Sequence, residues 1–164
     1  RRVLFRSKKT PNLSVLYTFS KAYGMAGLRL GYLLAHPEII GWINRIRNPF
    51  NINSLAQLAA IEALKDQEFL QKSVQMVWSE MDRVSVELHK LALNFLLSQG
   101  NFLTVRTPVA GEIWQEKLAQ RGIILRPLQP YKMRNFLRWT IGAPSENDAV
   151  LDALAELKKE TDGV

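Results

Sequence analysis

Residues 18–32, TFSKAYGMAGLRLGY, constrain this chain more than any other stretch. An apolar, strand-like run from Ser14 to Phe19 leads directly into Ser20 and Lys21, and a second such run, Leu30 to Ala35, follows Arg29. Both runs are rich in β-forming residues and predict strands. Gly24, Gly27 and Gly31 leave the backbone without Cβ atoms, so the connection can turn sharply and lie close to a ligand. The pattern predicts a lysine at the end of a buried strand, where desolvation disfavours its charged form. An amine so placed is suited to act as a nucleophile, for example in a Schiff base. Arg29, eight residues on, supplies a planar fork that suits a phosphate. An isolated lysine is ordinarily a solvated surface residue; the serine, glycines and arginine around Lys21 set it apart.

The rest of the chain alternates helices and strands. Pro37 suits a first helical turn, and the helix it opens should run to about Arg47 with Ile39, Ile40, Ile43 and Ile46 on one face. His36 reads as the N-terminal neighbour of that helix. Asn53 should cap a second helix carrying Leu55, Leu58, Ile61 and Leu64. A long helix follows from about Gln67 to Ala92, with a stripe of Leu70, Val74, Val77, Met81, Val84, Leu88 and Leu91. The stripe stops at the minimum length for a coiled coil, which favours a helix packed on its own protein. His89 lies beside it as a surface residue.

Beyond it the pattern predicts strands at Asn94–Leu97 and Phe102–Thr107, a helix at Ala110–Gln120 stopped by Gly122, and a strand at Ile123–Arg126 broken by Pro127 and Pro130. A last strand at Phe136–Ile141 precedes a helix capped by Ser145, with Asp148 three residues on. Arg126 and Arg138 stand at the ends of two of these strands. Converging guanidinium forks favour a dianion over a monoanion; the alternative is a pair of exposed strand arginines.

Composition narrows the function classes. With no cysteine, neither a disulfide nor a thiolate metal site is available, and two histidines far apart give no ligand spacing. Metal is therefore not expected. No apolar run approaches the length needed to span a bilayer. The net charge of +7 raises a basic nucleic-acid-binding module as an alternative of another class. Arg1, Arg2, Arg6, Lys8 and Lys9 supply five of those charges, while the remainder holds 17 basic and 15 acidic residues, so the excess reads as a solvated basic end.

The stretch around Lys21 resembles the cofactor-lysine motif of the fold-type-I pyridoxal-phosphate aminotransferases, S-K-x-x-G-x-A-G-x-R-x-G. The resemblance continues through NPFNINSLAQLAAIEAL and NFLTVR, and the pairing of GIILRPL with LRWTIGAPSENDAVLDAL points to the histidinol-phosphate branch. Arg134 and Trp139 depart from the usual residues at their places. The resemblance implies an α/β chain: residues 11–66 as the C-terminal part of the large cofactor-binding domain, and residues 67–164 as a linking helix and an α+β small domain. It leaves residues 1–10 as a basic N-terminus outside the family.

It further implies pyridoxal 5'-phosphate as cofactor, Lys21 as the Schiff-base lysine, and Ser20 and Arg29 as ligands of the cofactor phosphate. Arg126 and Arg138 are implied to hold the substrate phosphate. The expected reaction is transamination between histidinol phosphate and 2-oxoglutarate in histidine biosynthesis, by a cytoplasmic homodimer acting on small molecules, without nucleic acid or membrane partners. A threonine-phosphate decarboxylase type, or another class I/II aminotransferase, is the nearby alternative. The family's phosphate loop, ring-stacking aromatic and pyridine-nitrogen aspartate match no position here, so the chain is expected to be a truncated form, inactive alone.

Overall fold

The computed structural model describes residues 10–162, the last by its backbone only, so the basic residues 1–9 lie outside the described residues. The chain divides into two compact units, the first closing at Ser73 and the second opening at Val74. This boundary falls inside the long helix rather than ahead of it.

In the first unit β1 (Val15–Thr18) pairs antiparallel with β2 (Gly31–Leu34), Thr18 opposite Gly31 and Tyr17 opposite Tyr32. Glycine is required at 31 because a Cβ there would lie 2.5 Å from the Tyr17 carbonyl oxygen. The two tyrosine rings stack across the strands at 4.9 Å, a same-face pair that stabilises the register. Helix α1 (Pro37–Ile46) starts as expected, and His36 is its cap: Nδ1 accepts from the Glu38 N–H at 3.4 Å. Helix α2 (Ser54–Lys65) is capped by Asn53, whose Oδ1 accepts from the Ala56 N–H at 2.8 Å.

Burial in this unit departs from the sequence pattern. Ala56 and Ala60 of α2 are buried against Phe19 and Leu30, with Tyr23, Met25, Leu28 and Ile52 around them. Leu55, Leu58, Ile61 and Leu64 are exposed instead. Alanine has no bulk beyond Cβ, so it admits the close approach of the loop ends, which the leucine side would not. Ile46 is likewise 82% exposed at the end of α1. The strand leading to Lys21 is not buried either: β1 pairs only with β2 among the described residues, and Leu16 is 78% exposed.

Helix α3 (Gln67–Lys90) carries its stripe into the second unit, where Met81, Val84 and Leu88 are buried and Val77 and Leu91 pack beside them. It is a helix packed on its own protein. The sheet here has the order β3 (Phe95–Leu96), β4 (Phe102–Arg106), β6 (Met133–Thr140), β5 (Arg126–Leu128), every pair antiparallel. Leu103 faces Trp139 and Val105 faces Leu137 across β4 and β6. These four form the inner face, buried with Trp114 and Leu118 of α4 (Gly111–Ala119) and Leu154 and Leu157 of α5 (Pro144–Asp162).

Strand β5 differs from expectation. It begins at Arg126, where the sequence pattern ends it, and Pro127 lies inside it. The reason is position: β5 is an edge strand, where a missing N–H need not cost a ladder bond, and the register slips between Pro127 and Leu128. Residues 123–125 are held by a side chain instead of the sheet. Gln115 donates from Nε2 to the Ile123 carbonyl at 3.3 Å, and its Oε1 accepts from the Leu125 N–H at 2.7 Å.

Helix α5 starts one residue before Ser145. Pro144 takes the first position and Glu146 reaches back to accept from the Ala143 N–H at 2.7 Å, the return half of a capping box. Asp148, expected to complete that cap, pairs with Arg83 at 2.7 Å.

A buried polar network joins α3 to the start of α5. Asn147, 1% exposed, donates from Nδ2 to Glu80 Oε2 at 2.8 Å and to the Gly142 carbonyl at 3.0 Å, and its Oδ1 accepts from the Gly142 N–H at 3.0 Å. Glu80 also receives Arg83 Nε at 3.0 Å and Nη2 at 2.7 Å. These hydrogen bonds, Arg83 first and Asn147 second, hold the Glu80 carboxyl below its usual range against the opposing effect of burial. A group with a lowered folded value stabilises above its unfolded value of about 4.3 and loses that contribution as pH falls through the folded one. Glu80→Gln should therefore cost about 2 kcal/mol at pH 7, and the gap to wild type should close as pH falls below about 4.3. Urea unfolding measured across pH 2.5–7, a range set by those carboxylate values, checks this; a gap constant over that range rejects it.

Candidate active site

The loop between β1 and β2 is pinned at both ends. Phe19 and Leu30, its flanking residues, are buried, and the Phe19 N–H donates to the Leu30 carbonyl at 3.1 Å. Within it, the Gly24 N–H donates to the Lys21 carbonyl at 2.8 Å and the Met25 N–H to the Phe19 carbonyl at 3.0 Å, closing a tight turn around Lys21. Gly24 has φ 68°, a conformation that a Cβ would strain. A 3-10 turn, Ala26–Leu28, then delivers Arg29, itself left-handed at φ 52°.

The consequence is convergence. Arg29 Nη1 donates to the Ala26 carbonyl at 2.9 Å and reaches Ser20 Oγ at 3.5 Å, so a hydroxyl and a guanidinium meet beside Lys21. Arginine is not a residue that adopts positive φ without cost, of order 1 kcal/mol. That cost is accepted where the side chain is aimed at its neighbours in the loop. Lys21 itself is exposed, and its Nζ makes no hydrogen bond or ion pair among the described residues. The desolvation expected of a buried strand end is thus absent, because β1 is largely exposed.

The second cluster lies on the sheet of the second unit. Arg126 and Arg138 stand directly opposite each other on β5 and β6, hence on the same face. Like charges in such a pair repel. Each guanidinium has an aromatic neighbour: Arg126 lies over Tyr131 at 5.6 Å and Arg138 over Phe102 at 5.5 Å. A cation over a ring face gains about 0.5–1 kcal/mol at exposed sites, which offsets part of the repulsion. Arg138 Nε is buried and has no acceptor among the described residues. Both arginines line a cavity of about 510 Å³ that Gly142, Glu146 and Asn147 also border.

Arg126 is exposed and Arg138 half-buried, and their paired guanidinium groups with one buried, unsatisfied donor have the chemistry to receive an anion. The Pro-containing turn between the strands was legible in the sequence, but Tyr131 and Phe102 were not, since nothing in an isolated turn tyrosine or strand phenylalanine marks it as an arginine platform. Glu80 and Asn147 carried no signal either. Among the described residues no group of three or more His, Asp or Glu is placed to hold a metal ion, and no helix is long and apolar enough to cross a membrane.

Comparison with known proteins gives one consistent result. The family model described as aminotransferase class I and II matches residues 2–154, reaching back into the basic stretch that the sequence reading set outside the family. Histidinol-phosphate aminotransferase of Bdellovibrio bacteriovorus is 47% identical over 149 residues, covering 91% of this chain and 40% of that protein. The crystal structure of histidinol-phosphate aminotransferase from Clostridium acetobutylicum superposes with a TM-score of 0.84 at 28% identity, over 90% of this chain and 46% of that one. The Sinorhizobium meliloti enzyme of the same name, solved in complex with pyridoxal-5'-phosphate, gives 0.82 at 28% identity, over 96% and 44%. The chain thus spans about two fifths of the length of the curated relatives it matches.

Proposed function

Since this chain belongs to the class I and II aminotransferases, we propose that it serves pyridoxal-phosphate-dependent transfer of an amino group between histidinol phosphate and 2-oxoglutarate. Residues 11–66 then end the cofactor-binding domain, and residues 67–164 form the linking helix and small domain. The groups around Lys21 fit the cofactor: a primary amine for its aldehyde, and a hydroxyl with a guanidinium for its phosphate. Bound there, pyridoxal phosphate supplies the electron sink for bond breaking at the substrate carbon. Ser20 Oγ and the Arg29 fork hold the phosphate. Lys21 Nζ tethers the cofactor at rest, and as the free amine it takes and returns the proton at the substrate carbon.

Arg126 and Arg138 hold the substrate phosphate. The observation that carries this is the direct pairing of the two arginines, with the buried Nε of Arg138 left without an acceptor. A dianion offers enough oxygens to satisfy both forks and relieves their mutual repulsion. The same reading makes the protein a cytoplasmic homodimer acting on small molecules. A nucleic-acid partner does not fit a chain whose charge beyond residue 9 is nearly balanced.

The test compares Arg126→Ala and Arg138→Ala in a protein that carries this sequence at the relatives' full length, with histidinol phosphate and unphosphorylated histidinol as substrates. Each variant should lose about ten- to a hundredfold in kcat/KM on the phosphorylated substrate, the worth of one or two charge-assisted hydrogen bonds. The loss on histidinol should be smaller, and cofactor retention should be unchanged. Equal losses on the two substrates would show that these arginines do not read the phosphate.

A further inference from the structure

Tyr131 stands in the 3-10 turn Gln129–Tyr131 that joins β5 to β6. Pro130 precedes it, and Lys132 follows in the left-handed conformation at φ 62°, so the turn has a defined path. That path brings the tyrosine back onto Arg126. Arg126 Nη2 donates to Tyr131 Oη at 3.1 Å, and the guanidinium lies over the ring. The residue is 58% exposed, so packing does not explain its orientation.

A phenol oxygen that accepts from a cation still has its own proton to donate. Its polarisation by the guanidinium strengthens that donation, as hydrogen bonds in a chain reinforce one another. We propose that Tyr131 is a specificity-determining residue of the Arg126–Arg138 site, donating a further hydrogen bond to a phosphate oxygen and so favouring phosphate over carboxylate. This rests on the reading of the arginine pair as an anion site. A carboxylate has two oxygens, and two guanidinium forks engage both. A phosphate presents a third oxygen, which a neighbouring hydroxyl donor can take. The ring separately seats Arg126, so the hydroxyl and the ring have distinguishable roles.

The experiment follows arginine Nε–Hε resonances of the purified chain during titration with inorganic phosphate and, separately, with acetate. Wild type should bind phosphate more tightly than acetate. Tyr131→Phe keeps the ring under Arg126 but removes the hydroxyl; it should weaken phosphate about three- to tenfold, the worth of one hydrogen bond, and leave acetate unchanged. Tyr131→Ala also unseats Arg126 and should weaken both anions. Equal weakening of phosphate and acetate by Tyr131→Phe, or none, overturns the role of the hydroxyl.

Arg126→Ala and Arg138→Ala separate this failure from that of the underlying reading. If these variants lose phosphate while Tyr131→Phe retains wild-type selectivity, only the tyrosine's role falls. If they bind phosphate as wild type does, or if wild type binds none, the anion site falls and the tyrosine's role with it.

Discussion

Replacing Lys21 by alanine is expected to lower turnover in the full-length protein by a factor of about 10²–10⁴, the usual worth of a positioned proton-transfer group, and to abolish covalent attachment of the cofactor. The turn that presents Lys21 closes through the Gly24 and Met25 amides, neither of which uses the lysine side chain. The substitution should therefore leave the loop folded. Lys21→Arg makes the sharper control: it keeps a positive charge of similar reach, but a guanidinium stays protonated and cannot take up the substrate proton. Both variants should retain Ser20 and Arg29 at the phosphate and bind the cofactor non-covalently. Borohydride reduction of wild type should fix the cofactor to Lys21, identified by peptide mapping. Label on Lys8 or Lys132, or substantial turnover by Lys21→Arg, would reject the assignment.

Asn147→Ala is expected to be the most destabilising polar substitution in the second unit, costing about 3–4 kcal/mol. The side chain is 1% exposed and makes three hydrogen bonds, so truncation leaves the Glu80 carboxylate short of a donor and both backbone groups of Gly142 unpaired. Each unsatisfied buried group costs about 1–3 kcal/mol. Gly142 is only half-buried, so water recovers part of its share. A loss of this size is a large fraction of the 5–15 kcal/mol typical of a domain. Urea unfolding followed by the fluorescence of the buried Trp114 and Trp139 reports on this unit. Asn147→Asp should be at least as damaging at pH 7, because it sets a second carboxylate against Glu80, and should recover as pH falls and that repulsion is relieved. A cost below about 1 kcal/mol for Asn147→Ala, the ordinary net worth of one hydrogen bond, would show that the network is not holding α3 to the start of α5.

Sequence by itself determined the local elements, including the tight loop after β1. The cap at Asn53, the helix opened by Pro37, the length of α3 and the glycines that let the chain turn around Lys21 each depend on residues within a few positions of one another. Ser20 and Arg29 were legible as a pair only through the family resemblance of the motif around Lys21; the structure brings Arg29 Nη1 to 3.5 Å from Ser20 Oγ. Tertiary structure decided what lies far apart along the chain. It buried the alanines of α2 and left its leucines exposed, because the partners of that face are Phe19 and Leu30. It placed Pro127 inside a strand, because only the sheet order makes that strand an edge. It set Arg126 opposite Arg138, because cross-strand register depends on where the intervening turn closes. It also joined Glu80 to Asn147, 67 residues away, in a buried hydrogen bond that neither residue's neighbours announce. Local propensity acts over a turn of helix or a pair of strand residues, whereas burial and register are settled only when distant segments meet.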